Sequence, residues 1–92
     1  MDKKIEIMQH NLVHIRKRLG LSGKDFGEMI GVTKQTISNI ESGRTKLTMT
    51  MYLAIMYVLE KDFLPNMIDN ERYVILKMLN KKVIKNIVVF EE

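Results

Sequence analysis

Lys34, Gln35, Ser38, Asn39 and Ser42 recur along one side of a short segment, with Ile37 and Ile40 on the other. That spacing predicts a helix whose outer face carries short or planar polar groups rather than the Glu/Lys mixture of an ordinary solvated helix. Such groups suit base edges. A Gln or Asn amide gives and takes a hydrogen bond in one plane, matching adenine N6 and N7 in the major groove, and a Lys ammonium reaches guanine O6 and N7. In the loop that follows, Arg44 and Lys46 are separated by Thr45, with Ser42 and Thr48 nearby and no apolar anchor before Leu47. Cations and hydroxyls bond phosphate oxygens without reading sequence, which is what a backbone-contacting loop needs.

The elements that must position these groups lie in residues 21–43, read as two short helices joined by a tight turn. Ser22 is the N-cap of the first, which opens at Gly23, and Asp25 places an acid in its first turn and can complete a capping-box-like exchange. Phe26, Met29 and Ile30 form its apolar stripe, and Gly31 lets the chain leave through a left-handed conformation. Thr33 caps the second helix and Gly43 stops it.

Leu21, Ser22, Phe26, the small Gly27, the turn Gly31-Val32-Thr33 and the run Thr36-Ile37-Ser38-Asn39-Ile40-Glu41-Ser42-Gly43 resemble the phage repressor and Cro-type helix-turn-helix family of bacterial transcriptional regulators. The matched region runs over about residues 11–59. The resemblance implies an all-α, compact five-helix, lambda-repressor-like domain, specific double-stranded DNA as ligand and a homodimer. It also implies that Lys34, Gln35 and Asn39 read bases while Thr36, Ser38, Ser42, Arg44, Thr45 and Lys46 sit near the DNA backbone. In this family an Arg at position 16 pairs with the Glu that closes the recognition helix, here Glu41, clamping the first helix to the third. Gly23 replaces the usual Gln that contacts the backbone, Gly27 the usual Ala, and Leu47 a common Pro.

A chain of 92 residues is expected to form one folded unit, with residues 1–66 as the DNA-binding part and 67–92 as a C-terminal helix and apolar tail for dimerisation. It has no cysteine, which excludes disulfides and thiolate chemistry. With 46% hydrophobic and 28% charged residues it is globular rather than a flexible basic tail. No signal peptide is visible, and the longest uncharged run, 47–59, is shorter than the roughly 20 residues a bilayer requires, so no membrane role and a cytoplasmic location are expected. Net charge is +4, and all of the excess precedes Met49: nine Lys/Arg stand against five Asp/Glu there, and six against six afterwards. Basic charge beside a polar helix is the footprint of a phosphate-binding surface.

Along the chain, Ile5, Met8, Leu12, Ile15 and Leu19 predict a first helix over 2–19 with one core-facing stripe. His10 and His14 are four apart but lack further ligands, so no metal site is expected. Arg16, Lys17 and Arg18 cluster where cations suit the helix dipole. Thr48 is a candidate N-cap for a helix over 49–59 that is apolar almost all round and should be buried on every side, one face closing the core of the first three helices and the other covered by the C-terminal segment or a second subunit, with Tyr52 and Tyr57 at a wet rim. A connection over 60–66 precedes a last helix, capped by Asp69 or Asn70 and running over 71–82, with Tyr73, Leu76, Leu79 and Val83 on one side and Ile75 and Met78 flanking. The β-branched tail either extends that helix to about Lys85 or forms a strand pairing with its copy in a dimer.

No nucleophile elbow, metal cluster or phosphate-cradling loop is present, so no catalytic residues and no cofactor are expected. Two functional classes remain: an operator-binding regulator, most readily a repressor acting as a homodimer on an inverted repeat, or a protein-interaction module on the same fold, such as an antitoxin that masks a toxin.

Overall fold

Asp2 opens the first helix by accepting the Lys4 N–H at 3.0 Å, so α1 (Lys3–Arg18) begins with a capped end and finishes on three cations that complement its dipole. The computed structural model describes residues 2–84 and 87–90. Ser22 caps α2 (Gly23–Ile30), Thr33 caps α3 (Lys34–Glu41) and Thr48 caps α4 (Met49–Val58), each through its hydroxyl to the N–H three residues on. Gly31 leaves α2 with φ of 82°, the left-handed turn that its missing Cβ permits.

Ile5, Met8, Leu12 and Ile15 of α1 are buried, and around them close Phe26, Ile37, Ile40 and Leu47. From the C-terminal half, Tyr52, Ile55, Leu59, Leu64, Ile75 and Leu79 complete the same core. Gly27 is buried where α2 meets the turn into α3. A Cβ there would lie 2.6 Å from the Val32 carbonyl oxygen, so this crossing is tighter than any side chain allows.

Several expectations need correction. Met29 is 38% exposed and contributes no buried wall, because the short α2 turns only Phe26 and Gly27 fully inward. The outer face of the helix over 49–59 is not covered by the described residues of the C-terminal segment: Met49, Leu53 and Tyr57, spaced by four, remain 42%, 57% and 61% exposed as one stripe. Tyr57 is at a wet rim, whereas Tyr52 is buried at 3%.

The connection is itself helical. α4 passes into a wide π turn at Leu59–Phe63 and a tight 3-10 turn at Leu64–Asn66, where Pro65, lacking an N–H, ends the ladder. α5 spans Asp69–Met78 with Ile68 at the N-cap and no side-chain cap. Asp69 lies inside the first turn and its carboxylate meets Arg72 at 3.3 Å, so neither it nor Asn70 caps the helix. The helix stops four residues short of 82 because Asn80 takes a left-handed φ of 56°, a conformation Asn tolerates. Tyr73, expected inward, is 61% exposed, and Ile75 lies inward with Leu76 and Leu79.

Beyond Asn80 the tail is not a helical extension but turns into strands that pair within the chain. β1 (Lys81–Ile84) pairs antiparallel with β2 (Ile87–Phe90), Lys81 opposite Phe90 and Ile84 opposite Ile87. The five-helix all-α domain thus carries a small hairpin, whose first strand contacts α5. Lys85, where the helical alternative would end, and the side chain of Val83 lie outside the described residues.

Candidate nucleic-acid interface

Ile37 and Ile40 are each 1% exposed, and this fixes the rotation of α3 about its axis. With those two inward, Lys34, Gln35, Ser38 and Ser42 are exposed and Thr36 and Asn39 half-buried at the boundary. The Thr33 hydroxyl accepts the Thr36 N–H at 3.1 Å and lies 3.0 Å from the Thr36 hydroxyl, which pins the helix start. Gln35 Nε2 donates to Asn39 Oδ1 at 3.0 Å one turn along the outer face. The Lys34 stem passes over Gly23: a Cβ on that glycine would meet Lys34 Cγ at 3.7 Å, an ordinary contact.

Arg16 fixes α3 from behind. Its Nε donates to Glu41 Oε2 at 2.7 Å and its Nη2 to Glu41 Oε1 at 3.1 Å, while Nη1 donates to the Leu21 carbonyl at 2.8 Å. One guanidinium therefore holds α1, the entry to α2 and the end of α3 together. Both side chains are 14% exposed, and the hydrogen bonds that the guanidinium donates to Glu41 stabilise the cation and raise its pKa. Glu41 is the acid nearest the polar face in sequence, and this pairing neutralises it.

The loop after α3 is held by Gln9, whose role sequence reasoning missed. Its Nε2 donates to the carbonyls of Ile40 at 3.0 Å and Thr45 at 2.8 Å, and its Oε1 accepts the Leu47 N–H at 3.0 Å. Leu47, 4% exposed, anchors the loop in the core. Between these fixed points Arg44, Thr45 and Lys46 project into solvent. Lys34, Arg44 and Lys46 form no ion pair among the described residues, so their charge is uncommitted. Asn11, also missed, donates to the Met78 carbonyl at 2.9 Å and ties α5 to α1. Nothing local marks Gln9 or Asn11; each is a single polar residue beside core positions that reaches a backbone carbonyl more than thirty residues away.

The histidines do not converge. His10 opens on a shallow hollow with Glu6, Glu41 and Ser42, and His14 on a groove with Lys17, Arg18, Val74 and Met78. Among the described residues no three His, Cys, Asp or Glu side chains are grouped to hold a metal ion. No helix of the described residues is long and apolar enough to cross a membrane.

A capped helix, a left-handed glycine turn and a second capped helix fixed with its polar face outward define a helix-turn-helix DNA-binding domain. The Helix-turn-helix family model matches residues 13–63, more than half of the chain. The chain belongs to this Cro/C1-type family of DNA-binding transcriptional regulators. Neither the curated proteins nor the solved structures include a match.

Proposed function

We propose that this protein is a sequence-specific, double-stranded-DNA-binding transcriptional repressor, acting in the cytoplasm as a homodimer on an inverted-repeat operator. The observation that carries the reading is α3 itself, locked from behind by Arg16 and Glu41 and presenting Lys34, Gln35 and Asn39 outward. In this reading Lys34, Gln35 and Asn39 meet base edges, while Thr36, Ser38, Ser42, Arg44, Thr45 and Lys46 meet the sugar-phosphate backbone. Two copies place two recognition helices in successive major grooves about 34 Å apart, and occupancy there blocks polymerase. No residue is assigned to catalysis and no cofactor is invoked.

Selection of bound duplexes from a random pool at near-physiological salt tests this. Enrichment of an inverted repeat with half-sites about one helical turn apart supports it. Salt-sensitive binding without sequence preference contradicts it.

A second reading, an antitoxin or other interaction module on the same fold, draws on the exposed stripe of Met49, Leu53 and Tyr57. A protein whose task is masking a toxin is indifferent to Gln35→Ala and Arg44→Ala and sensitive to Leu53→Asp. The stripe is also an apolar surface on which homodimerisation would draw.

A further inference from the structure

The groove between α1 and α5 is fixed at both ends. Asn11 on α1 donates to the Met78 carbonyl at 2.9 Å, and Arg72 in the first turn of α5 donates to the Leu64 and Met67 carbonyls at 3.0 and 2.9 Å. Ile75, Leu76 and Leu79 are buried, which sets the rotation of α5 and leaves Val74 and Met78 half-buried beside α1. His14, Lys17 and Arg18 stand exposed along the other wall, and the open hollow they share with Val74 and Met78 measures about 610 Å³.

The charge of this hollow is one-sided. No carboxylate lines it. Arg16 is committed to Glu41, whereas Lys17 and Arg18 form no ion pair or side-chain hydrogen bond among the described residues. Gln9 and Arg16 turn from α1 toward α3 and Asn11 turns toward α5, so α1 stands between the groove and α3.

We propose that this groove docks an acidic segment of a partner protein, one in which two carboxylates stand beside a large apolar side chain. The carboxylates meet Lys17 and Arg18, and the Arg18 guanidinium can grip one of them with two N–H groups. The apolar side chain covers Val74 and Met78, and the flexible thioether of Met78 adapts to its shape. Charge complementarity selects this occupant. A purely apolar segment would leave both cations without a counter-charge, and a nucleic-acid backbone would leave the apolar floor uncovered. A small ligand needs a site that encloses most of its surface, while three of the five lining residues here are exposed. A segment laid between two helices needs only the groove.

The test selects short random peptides on the full chain and uses the most enriched one, synthesised, as the probe. Enriched peptides are expected to carry adjacent Asp or Glu beside Leu, Met or Phe, and the probe should shift the amides of residues 14–18 and 74–78. Lys17→Gln combined with Arg18→Gln should weaken the probe roughly tenfold, as loss of two exposed charge pairs does, and should leave duplex affinity unchanged. Val74→Glu, which sets an acid on the floor of the groove, should weaken the probe as well, with thermal unfolding showing that the variant is folded. The inference is overturned if no peptide is enriched, if the enriched peptides are basic or uncharged, if the shifts centre on Leu53 and Tyr57, or if the Gln variant binds the probe as wild type does. It is also overturned if that variant loses duplex affinity with a shallower salt dependence, which would give the two cations to DNA, or loses self-association in sedimentation, which would make a second copy the occupant. Because the peptide arm needs no DNA, it can fail or succeed independently of the operator-binding reading.

Discussion

Arg16 and Glu41, twenty-five residues apart, form a two-point ion pair in which Nε meets Oε2 at 2.7 Å and Nη2 meets Oε1 at 3.1 Å. The same guanidinium reaches the Leu21 carbonyl, so the pair sets the distance between α1 and the recognition helix and the start of α2 together. Removing one partner leaves the other charge poorly solvated. Arg16→Ala is predicted to cost about 2 kcal/mol in urea unfolding, the range of charge-assisted hydrogen bonds at a partly exposed site. It should also weaken DNA binding, because α3 loses its rear support. Unchanged stability would show the pair to be energetically idle.

Gly27 allows a sharper prediction. A Cβ there would lie 2.6 Å from the Val32 carbonyl oxygen, which is backbone and cannot swing away. Gly27→Ala should therefore destabilise the fold by about 1–3 kcal/mol, despite the better helix propensity of Ala, because α2 and the turn must separate. Thermal unfolding of the variant decides the sign; a stabilised Gly27→Ala protein would show that the crossing relaxes without cost.

Gln9 holds the loop before α4 at three backbone points. Gln9→Ala leaves the half-buried groups it served without a partner and is predicted to cost about 1–3 kcal/mol. Amide hydrogen exchange should accelerate at Leu47, and DNA affinity should fall even though Gln9 itself faces the protein. Unaltered exchange at Leu47 would refute its role as the staple.

Under the proposed function Arg44 and Lys46 should behave differently from α3. Each substitution to Ala is predicted to weaken binding to all sequences alike and to reduce the slope of log affinity against log salt by about one, as loss of a phosphate contact does. A change in sequence preference would place the residue at a base edge instead.

Tyr52 gives a pH dependence. Its phenol pKa is raised above the ordinary value, chiefly by burial, with Asp2 and Glu60 adding to it. Because the folded-state pKa lies above the unfolded one, this contribution is fully present below about pH 10 and is lost as pH rises through the folded pKa. Tyr52→Phe should lose less stability than wild type between neutral and strongly alkaline pH, measured by urea unfolding.

The motif was legible because its information is local. Ser22, Thr33 and Thr48 mark helix starts, Gly31 marks a turn, and Ile37 with Ile40 fixes which face of α3 is outward. Gln9 and Asn11 were not legible because the bonds by which they tie elements together reach backbone groups that only the folded topology brings near. The C-terminal boundary failed for a related reason: the β-branched content of 83–89 fits helix end and strand alike, and the left-handed turn falls at an Asn rather than a Gly. The apolar composition of α4 showed that the helix wants cover, but not which of the C-terminal segment and a second subunit supplies it, because hydrophobicity carries no partner's identity.

The most direct test of the central claim is an amide NMR titration of the full chain with the selected duplex at near-physiological salt. The largest perturbations are predicted at residues 33–46, covering α3 and the loop that Gln9 holds, with α4 at Leu53 and Tyr57 unaffected by DNA contact. Perturbation centred on the α4 stripe or the hairpin, with residues 33–46 unmoved, would contradict the assignment of α3 as the DNA-reading element.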